Sequence, residues 1–310
     1  MEKTSVLIVG TGAMGTLFAA RLASVGIPVT VLGNWHEGLA ALRAEGAGLI
    51  TTDGITRRYP VHVVDSSNEC AGAQLALVMV KAWQTQQAAR QLFECLGEQG
   101  LAVTLQNGLG NLEVLSDSLG IERTALGVTT TGATLVSPGL VRAGGEGAVS
   151  IEAHPRLKPL VEALRAASFK VNVVTDARSL AWGKLVINAV INPLTALLHV
   201  PNGELLEHVE TRALMGVLAR ETAAVAAAEG VALPFDDPVT AAEDVAQRTA
   251  ANHSSMLQDI QRGAPTEIDA ICGEIVRRGE DHNVPVPVNW SMWQLVKSAA
   301  RQREPASVAL

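Results

Sequence analysis

Ser5-Val6-Leu7-Ile8-Val9 is a short apolar run that ends at Gly10, and a small-residue helical pattern follows from Leu17 to Ala23, closing near Gly26. Between the two stands Gly10-Thr11-Gly12-Ala13-Met14-Gly15. No other stretch limits the fold so tightly, because each glycine has a separate task in a strand-turn-helix unit. The first permits a tight turn, the second lets backbone approach a pyrophosphate, and the third lets the helix pack on the strand. Phosphate oxygens then sit on the amides of a helix N-terminus. The bland alternative is a glycine-rich βα turn without a ligand. The strand Val29-Thr30-Val31-Leu32 completes the unit and favours a dinucleotide site built on Gly10, Thr11, Gly12, Ala13, Met14 and Gly15.

The end of that second strand chooses the dinucleotide. An acidic residue there binds the ribose 2′-hydroxyl, whereas a basic neighbourhood accepts a 2′-phosphate. The chain offers Gly33-Asn34-Trp35-His36, with Glu37 close by and no arginine at the tip. Arg43, Arg57 and Arg58 either reach the ribose or are solvated surface arginines. The balance tilts to NADP, as NADPH, through Asn34; NAD stays open.

Leu75 to Val80 is a continuous apolar run, as expected of a strand covered on both faces, and it ends at Lys81-Ala82-Trp83-Gln84. Leu101 to Leu105 ends likewise at Gln106-Asn107-Gly108-Leu109-Gly110. Ligands of open parallel sheets bind at such carboxyl ends, so Lys81 and Asn107 are candidates on the edge that carries the glycine turn. The alternatives are a helix-start surface lysine and an Asn-Gly turn. From Thr124 to Val174 short β-rich runs follow, Leu126 to Thr131, Gly139 to Val141 and Ala148 to Ile151. They are expected to extend the sheet with antiparallel strands, before a helix from Pro159 to Ala167 and a last strand, Val171 to Val174. β character stops near Thr175-Asp176.

Beyond that point the pattern is helical: Leu180 to Leu198, Leu205 to Glu229 with Gly230 as C-cap, Pro238 to Ala250, Ser255 to Gln261, Ile268 to His282 and Asn289 to Arg301. In the first of these, Lys184, Asn188 and Asn192 climb one face at about 6 Å per step. A buried polar group without a partner costs on the order of 1–3 kcal/mol, so such a ladder fits either a wet or ligand-filled cleft, or a solvated edge with one snorkelling lysine. Ser255 with Gln258 fits a capping box, and a hydroxyl at a helix start also suits a substrate carboxylate. Glu267 reads as a first-turn acid facing the helix dipole. His253 and His282 lack a second ligand at metal spacing, so no metal is assigned.

The chain's 310 residues, 48% of them hydrophobic, are enough for two cores, divided at 1–175 and 176–310. The expected fold class is an α/β N-terminal Rossmann-type dinucleotide-binding domain followed by an all-α C-terminal domain. A net charge of −7 without a basic block, and only 3% aromatics, argue against a nucleic-acid partner. Cys70, Cys95 and Cys272 show neither metal spacing nor an even count, which suits a reducing compartment. Met1-Glu2-Lys3-Thr4 runs into a strand too short for a signal segment, and no uninterrupted apolar run reaches membrane length. The expectation is a cytoplasmic protein without a membrane partner. Apolar helices such as Ala213 to Ala228 fit either a core or a homodimer interface.

Taken together, the glycine turn, Val80 to Gln84, Gln106 to Gly110, Trp182-Gly183-Lys184 with Asn188 to Ala196, Pro201 to Leu205, Ser254 to Asp259 and Thr266 to Asp269 resemble the ketopantoate reductase (2-dehydropantoate 2-reductase) family in order and spacing. The resemblance spans the whole chain. It implies an NADPH-dependent reduction of 2-dehydropantoate to (R)-pantoate, a step toward pantothenate and coenzyme A, with a small keto acid as substrate. By residue, it makes Lys184 the general acid. Asn188, Asn192 and Asn202 become ligands of the substrate's hydroxyl and carbonyl groups, with Asn107 beside them, and Ser255 the ligand of its carboxylate. Lys81 and Asn107 would line the nicotinamide side, and Glu267 would hold the cofactor and share in catalysis. Such chemistry needs a cationic proton donor, and a lysine on an apolar helix has its pKa lowered toward a working value by desolvation. The sequence departs from the family at Asn34, where an arginine is common, and at Gln106, where some members carry histidine. Two other readings follow the same pattern: a reductase of another branched 2-keto or 3-hydroxy acid, and a non-catalytic NAD(P)-binding sensor.

Overall fold

A computed structural model describes residues 4–51, 53–145 and 147–301. Met1, Glu2 and Lys3 and the chain from 302 onward, included in the expected domain spans, lie outside the described residues. Two compact units emerge. The first runs through Gln106 and resumes over Asn111–Ala177; the second joins Asn107–Gly110 to the chain from Arg178 on. The division therefore falls two residues beyond the expected Thr175, and the tip that carries Asn107 groups with the helical unit.

In the first unit the strands are β1 (Val6–Val9), β2 (Val29–Leu32), β3 (Ala47–Ile50), β4 (Thr56–Tyr59), β5 (His62–Val64), β6 (Ala73–Val78), β7 (Leu96–Thr104), β8 (Thr124–Thr129), β9 (Ala133–Ser137), β10 (Leu140–Ala143), β11 (Ala148–Glu152) and β12 (Lys170–Val174). Helices α1 (Ala13–Ser24), α2 (His36–Glu45), α3 (Thr85–Cys95), α4 (Asn111–Leu119) and α5 (Lys158–Ala166) connect them. The main sheet has the order β12-β11-β8-β7-β6-β1-β2-β5. β5 through β8 in that order are parallel; β11 runs antiparallel to β8, and β12 parallel to β11.

The continuous apolar runs follow from this layering. Val6 and Ile8 enter one hydrophobic cluster with Leu17 and Phe18, while Leu7 and Val9 enter another with Ala88 and Leu92. Alternate side chains of a strand face opposite sides, so a strand packed on both sides must be apolar throughout. Two expectations fail here. The Leu126 to Thr131 run, expected as an antiparallel strand, forms β8 parallel to β7. Leu140–Ala143 does not extend the main sheet; it joins a separate four-stranded sheet of order β4-β3-β10-β9, pairing parallel to β3. β4 carries no clear strand signal because Thr56–Tyr59 is largely exposed and polar, so burial imposes no apolar alternation there.

The second unit is built on α6 (Arg178–Leu198), against which α7 (Val209–Ala228), α8 (Pro238–Arg248), α9 (Ser255–Gln261) and α11 (Pro287–Arg301) pack. α10 (Glu274–Asp281) completes the set. Among the described residues α6 has the length and apolarity of a membrane span, but 72% of that stretch is buried in the protein, as befits a core helix. The expected helix from Leu205 to Glu229 is broken: a 3₁₀ turn, Asn202–Leu206, precedes α7. Gly230, at φ +70°, ends α7 in the left-handed conformation that favours glycine after a helix. A π-helical turn, Asp269–Gly273, leads into α10.

Candidate active site

The glycine turn separates its three glycines by what surrounds them. Gly10 has φ +128°, and a Cβ there would lie 2.9 Å from the Met79 carbonyl carbon. A Cβ on Gly15 would lie 2.0 Å from the Gly10 carbonyl oxygen, so α1 can approach β1 only without a side chain. At Gly12 nothing stands within 4 Å of such a Cβ, although its φ of −78° suits any residue. Packing therefore requires the first and third glycines and leaves the second facing open space at the N-terminus of α1, which is where a phosphate group fits. Thr11 is buried beside Gly33, and Ala13 and Met14 open the helix.

At the end of β2 the side chains are neutral amides. Asn34 donates from Nδ2 to Gln87 Oε1 at 3.0 Å and accepts from Gln84 Nε2 at 3.3 Å. With Val9, Gly33, Val80, Ala88 and Gln91 these residues line a small hollow. Arg43 is engaged elsewhere, bonded to Asp65 at 2.8 Å, where it holds that carboxyl below the usual carboxylate range. Arg58 pairs with Glu45 at 2.5 Å, and Arg57 is exposed on β4. Lys81, three residues past the end of β6, stands just before the 3₁₀ turn Ala82–Gln84. Gln106 fastens this edge: its Nε2 donates to the Val80 carbonyl at 3.0 Å and to Thr85 Oγ1 at 2.7 Å, and its Oε1 accepts from Thr104.

In the second unit Lys184, Glu267 and Asn107 come together. Glu267 is only 6% exposed, and Asn107 Nδ2 donates to its Oε2 at 3.1 Å across 160 residues of chain. Lys184, half-buried on α6, has its pKa lowered to about 8 because burial strips water from the ammonium, while the Glu267 carboxylate pulls in the opposite direction. The Asn107 tip is seated by backbone. Leu109 N–H donates to the Ala270 carbonyl at 3.0 Å, and Gly108, at φ +79°, passes where a Cβ would meet that oxygen at 2.3 Å. Ala270 belongs to the π turn, in which Gly273 N–H reaches back five residues to the Ile268 carbonyl. Such widened turns often sit at functional positions.

The remaining ladder residues differ in commitment. Asn188 is half-buried and Asn192 buried, and the hydrogen bonds described for the chain include none from either side-chain amide. Asn202 is buried and donates from Nδ2 to Thr249 Oγ1 at 2.9 Å; its Oδ1 is buried with no partner among the described residues. The expected capping box needs correction. The cap of α9 is Ser254, whose Oγ accepts Leu257 N–H at 3.1 Å, whereas Ser255 is the exposed first helical residue. Two adjacent serines are interchangeable in a capping pattern, and only the extended backbone of Ser254 decides between them.

Two family models match the chain: ketopantoate reductase PanE/ApbA over residues 6–156, and its C-terminal counterpart over residues 176–300. The chain belongs to the ketopantoate reductase family. A 2-dehydropantoate 2-reductase of Halobacterium salinarum is 35% identical over 302 residues, covering 96% of this chain and 99% of that protein. One of Salmonella typhimurium is 31% identical over 307 residues, covering 96% of each. A crystal structure of a ketopantoate reductase family protein from Ralstonia eutropha superposes with a TM-score of 0.90 at 32% identity, over 96% of this chain and 99% of that one. D-mandelate dehydrogenase, solved with NADH and anilino(oxo)acetate, superposes with a TM-score of 0.91 at 23% identity over the same shares, which shows a common fold.

As an oxidoreductase of the ketopantoate reductase family, the chain carries features that sequence reasoning overlooked. Gln84 and Gln87 meet Asn34 through side chains 50 and 53 residues away, and Gln106 fastens two strand ends. The π turn that receives the Asn107 tip has no propensity signature. Its nearest sequence sign is the pair Asp269-Ala270, which follows Glu267 and Ile268.

Proposed function

We propose that this ketopantoate reductase family member reduces 2-dehydropantoate to (R)-pantoate with NADPH, Lys184 serving as the general acid. The observation that carries the reading is a lysine with its pKa lowered to about 8, beside the buried Glu267, on the helix edge that also bears Asn188 and Asn192. A proton donor works best when its pKa lies near the operating pH, and correct placement contributes about 10²–10⁴-fold in rate. The bound dinucleotide supplies the hydride. Gly10, Thr11, Gly12, Ala13, Met14 and Gly15 cradle its pyrophosphate; Asn34 and Lys81 meet the rest of it.

Glu267 keeps the Lys184 ammonium protonated against the desolvation that lowers its pKa, and Asn107 steadies Glu267 by its amide bond. Lys184 then gives its proton to the substrate's carbonyl oxygen as that oxygen becomes an alkoxide. Asn188 and Asn192, whose side-chain amides make no hydrogen bond among the described residues, hold the substrate's hydroxyl and carbonyl groups. Asn202 offers its unpartnered Oδ1, and Ser255 Oγ receives the carboxylate. The electrostatic demand is greatest when charge develops on the oxygen, where a fixed cation is most valuable.

The neutral surroundings of Asn34 favour a second reading of the cofactor alone, in which NADH also serves. The D-mandelate dehydrogenase neighbour was solved with NADH. The test is oxidation of NADPH and of NADH, followed by absorbance, with 2-dehydropantoate and a panel of branched and aryl 2-keto acids. Fastest turnover of 2-dehydropantoate with NADPH is expected. A higher kcat/KM for another keto acid would replace the substrate, and no oxidation with any of them would end the enzymatic reading in favour of a dinucleotide sensor.

A further inference from the structure

Thr195 and Ser254 are buried hydroxyls, 0% and 6% exposed, on two different helices, and the catalytic reading uses neither. Their oxygens lie 2.7 Å apart. Thr195 Oγ1 is also 2.7 Å from the Ile191 carbonyl and 3.2 Å from the Asn192 carbonyl, while Ser254 Oγ accepts Leu257 N–H at 3.1 Å. Each hydroxyl has one proton. The arrangement that satisfies both has Ser254 donating to Thr195 and Thr195 donating back to the turn of α6 that carries Asn192.

That turn needs an outside brace. Pro193 lies inside α6, so one i→i−4 hydrogen bond of the helix is missing at Ala189, and a threonine bonding its own preceding turn further loosens the ladder. The partner segment is clamped at its other end. Asn202 N–H donates to the Asn252 carbonyl and Gly203 N–H to the Ala250 carbonyl, both at 3.0 Å, and Asn202 Nδ2 holds Thr249. The chain from Thr249 to Ser254 is thus fixed to Asn202 at its start and to the Asn192 turn at its end, and Ser255 follows directly.

We infer that the Thr195 and Ser254 hydroxyls form a positioning pair, which sets the spacing between Asn192, Asn202 and Ser255 and so matches these ligands to the substrate's carboxylate and to its carbonyl and hydroxyl groups. The inference rests on the reading of those three residues as keto-acid ligands. Ligands spaced to fit the substrate hold it in the ground state and the transition state alike, so the pair acts through KM for the keto acid without touching it.

The experiment compares Thr195→Val, which keeps shape and removes the hydrogen bonds, with Thr195→Ser, which keeps the hydroxyl. Steady-state kinetics with 2-dehydropantoate are measured beside NADPH affinity by fluorescence. Thr195→Val is expected to raise KM for the keto acid about tenfold, with NADPH affinity unchanged, and Thr195→Ser to restore it. Should Thr195→Val not fold, Ser254→Gly carries the same expectation, because glycine is well tolerated as an N-cap. An unchanged keto-acid KM, or equal defects in the valine and serine variants, overturns the positioning pair while leaving an active wild type intact. A wild type without keto-acid turnover instead removes the substrate reading and the pair with it.

Discussion

At the glycine turn of the first unit the chain works by leaving side chains out, whereas on α6 of the second it works by burying polar ones. Gly12 offers space and backbone amides; Lys184 and Glu267 offer charge, and Asn107 an amide donor, in a setting where water is scarce. The two need different kinds of support. The turn is fixed by contacts within fifteen residues of the N-terminus and with Met79, all of them backbone geometry. The lysine group depends on a tip from the end of β7, a π turn and a central helix meeting side chain to side chain. A binding element can thus be local, while a proton donor with a tuned pKa has to be assembled.

Removing the proposed proton donor tests this contrast most severely. Lys184→Ala should lower kcat by about 10³-fold, the middle of the range for a positioned general acid, and leave NADPH affinity as it was. Stopped-flow or steady-state turnover beside fluorescence titration gives both numbers. Parallel loss of rate and cofactor affinity would mean that the two regions are not separable in this way.

The converse change belongs at the turn. Gly12→Ala places a methyl group in space that no protein atom occupies, on a backbone that alanine adopts without strain. The melting temperature should stay unchanged while NADPH binding weakens by about 10- to 100-fold, through lost approach to the pyrophosphate. Gly15→Ala should instead lower the melting temperature, since its methyl would collide with the Gly10 carbonyl. A Gly12→Ala protein that melts early and binds normally would reverse the assignment of the two glycines.

How much of each region could be read from the sequence follows the same division. The strand, turn and helix around Gly10 to Gly15 declare themselves because each constraint acts on neighbours in the chain. α6 is legible too, since a long apolar periodicity with few breakers has little else to become. Lys184 could be marked as a rung of a ladder, but not as the partner of Glu267, because nothing local brings position 184 to 267. Asn107 was placed at a strand end, and only the backbone bond from Leu109 to Ala270 assigns its tip to the helical unit. The cap at Ser254 and the departure of Leu140–Ala143 to a second sheet are failures of register and pairing, which short runs specify weakly.

Glu267→Gln sharpens the electrostatic half of the contrast. Glutamine keeps an oxygen for Asn107 and removes the charge that raises the Lys184 pKa. A general acid must be protonated, so the wild-type rate should be level below about pH 8 and decline above it as Lys184 loses its proton. In the variant desolvation acts unopposed, so the decline begins at lower pH, and kcat/KM at neutral pH falls about tenfold. A pH profile of kcat/KM for both proteins decides it. An alkaline limb that stays in place would remove Glu267 from the control of Lys184.

The smallest effect lies at Asn34, where the end of β2 carries neutral amides. Asn34→Arg adds a cation beside Gln84 and Gln87 without a carboxylate on Gly33 to pair with it, so the charge is available to a 2′-phosphate. Asn34 is exposed, however, and a solvated ion pair is worth at most about 1 kcal/mol, which corresponds to about fivefold in affinity. The ratio of kcat/KM for NADPH over NADH should therefore rise by about that factor, with the keto-acid KM unmoved, because the change concerns only what the ribose meets. A rise in keto-acid KM as well would show that the amide chain at β2 also shapes the substrate side. A ratio that does not move would place the 2′-position beyond the reach of residue 34, and Lys81, just before the turn that carries Gln84, would be the next cation to test.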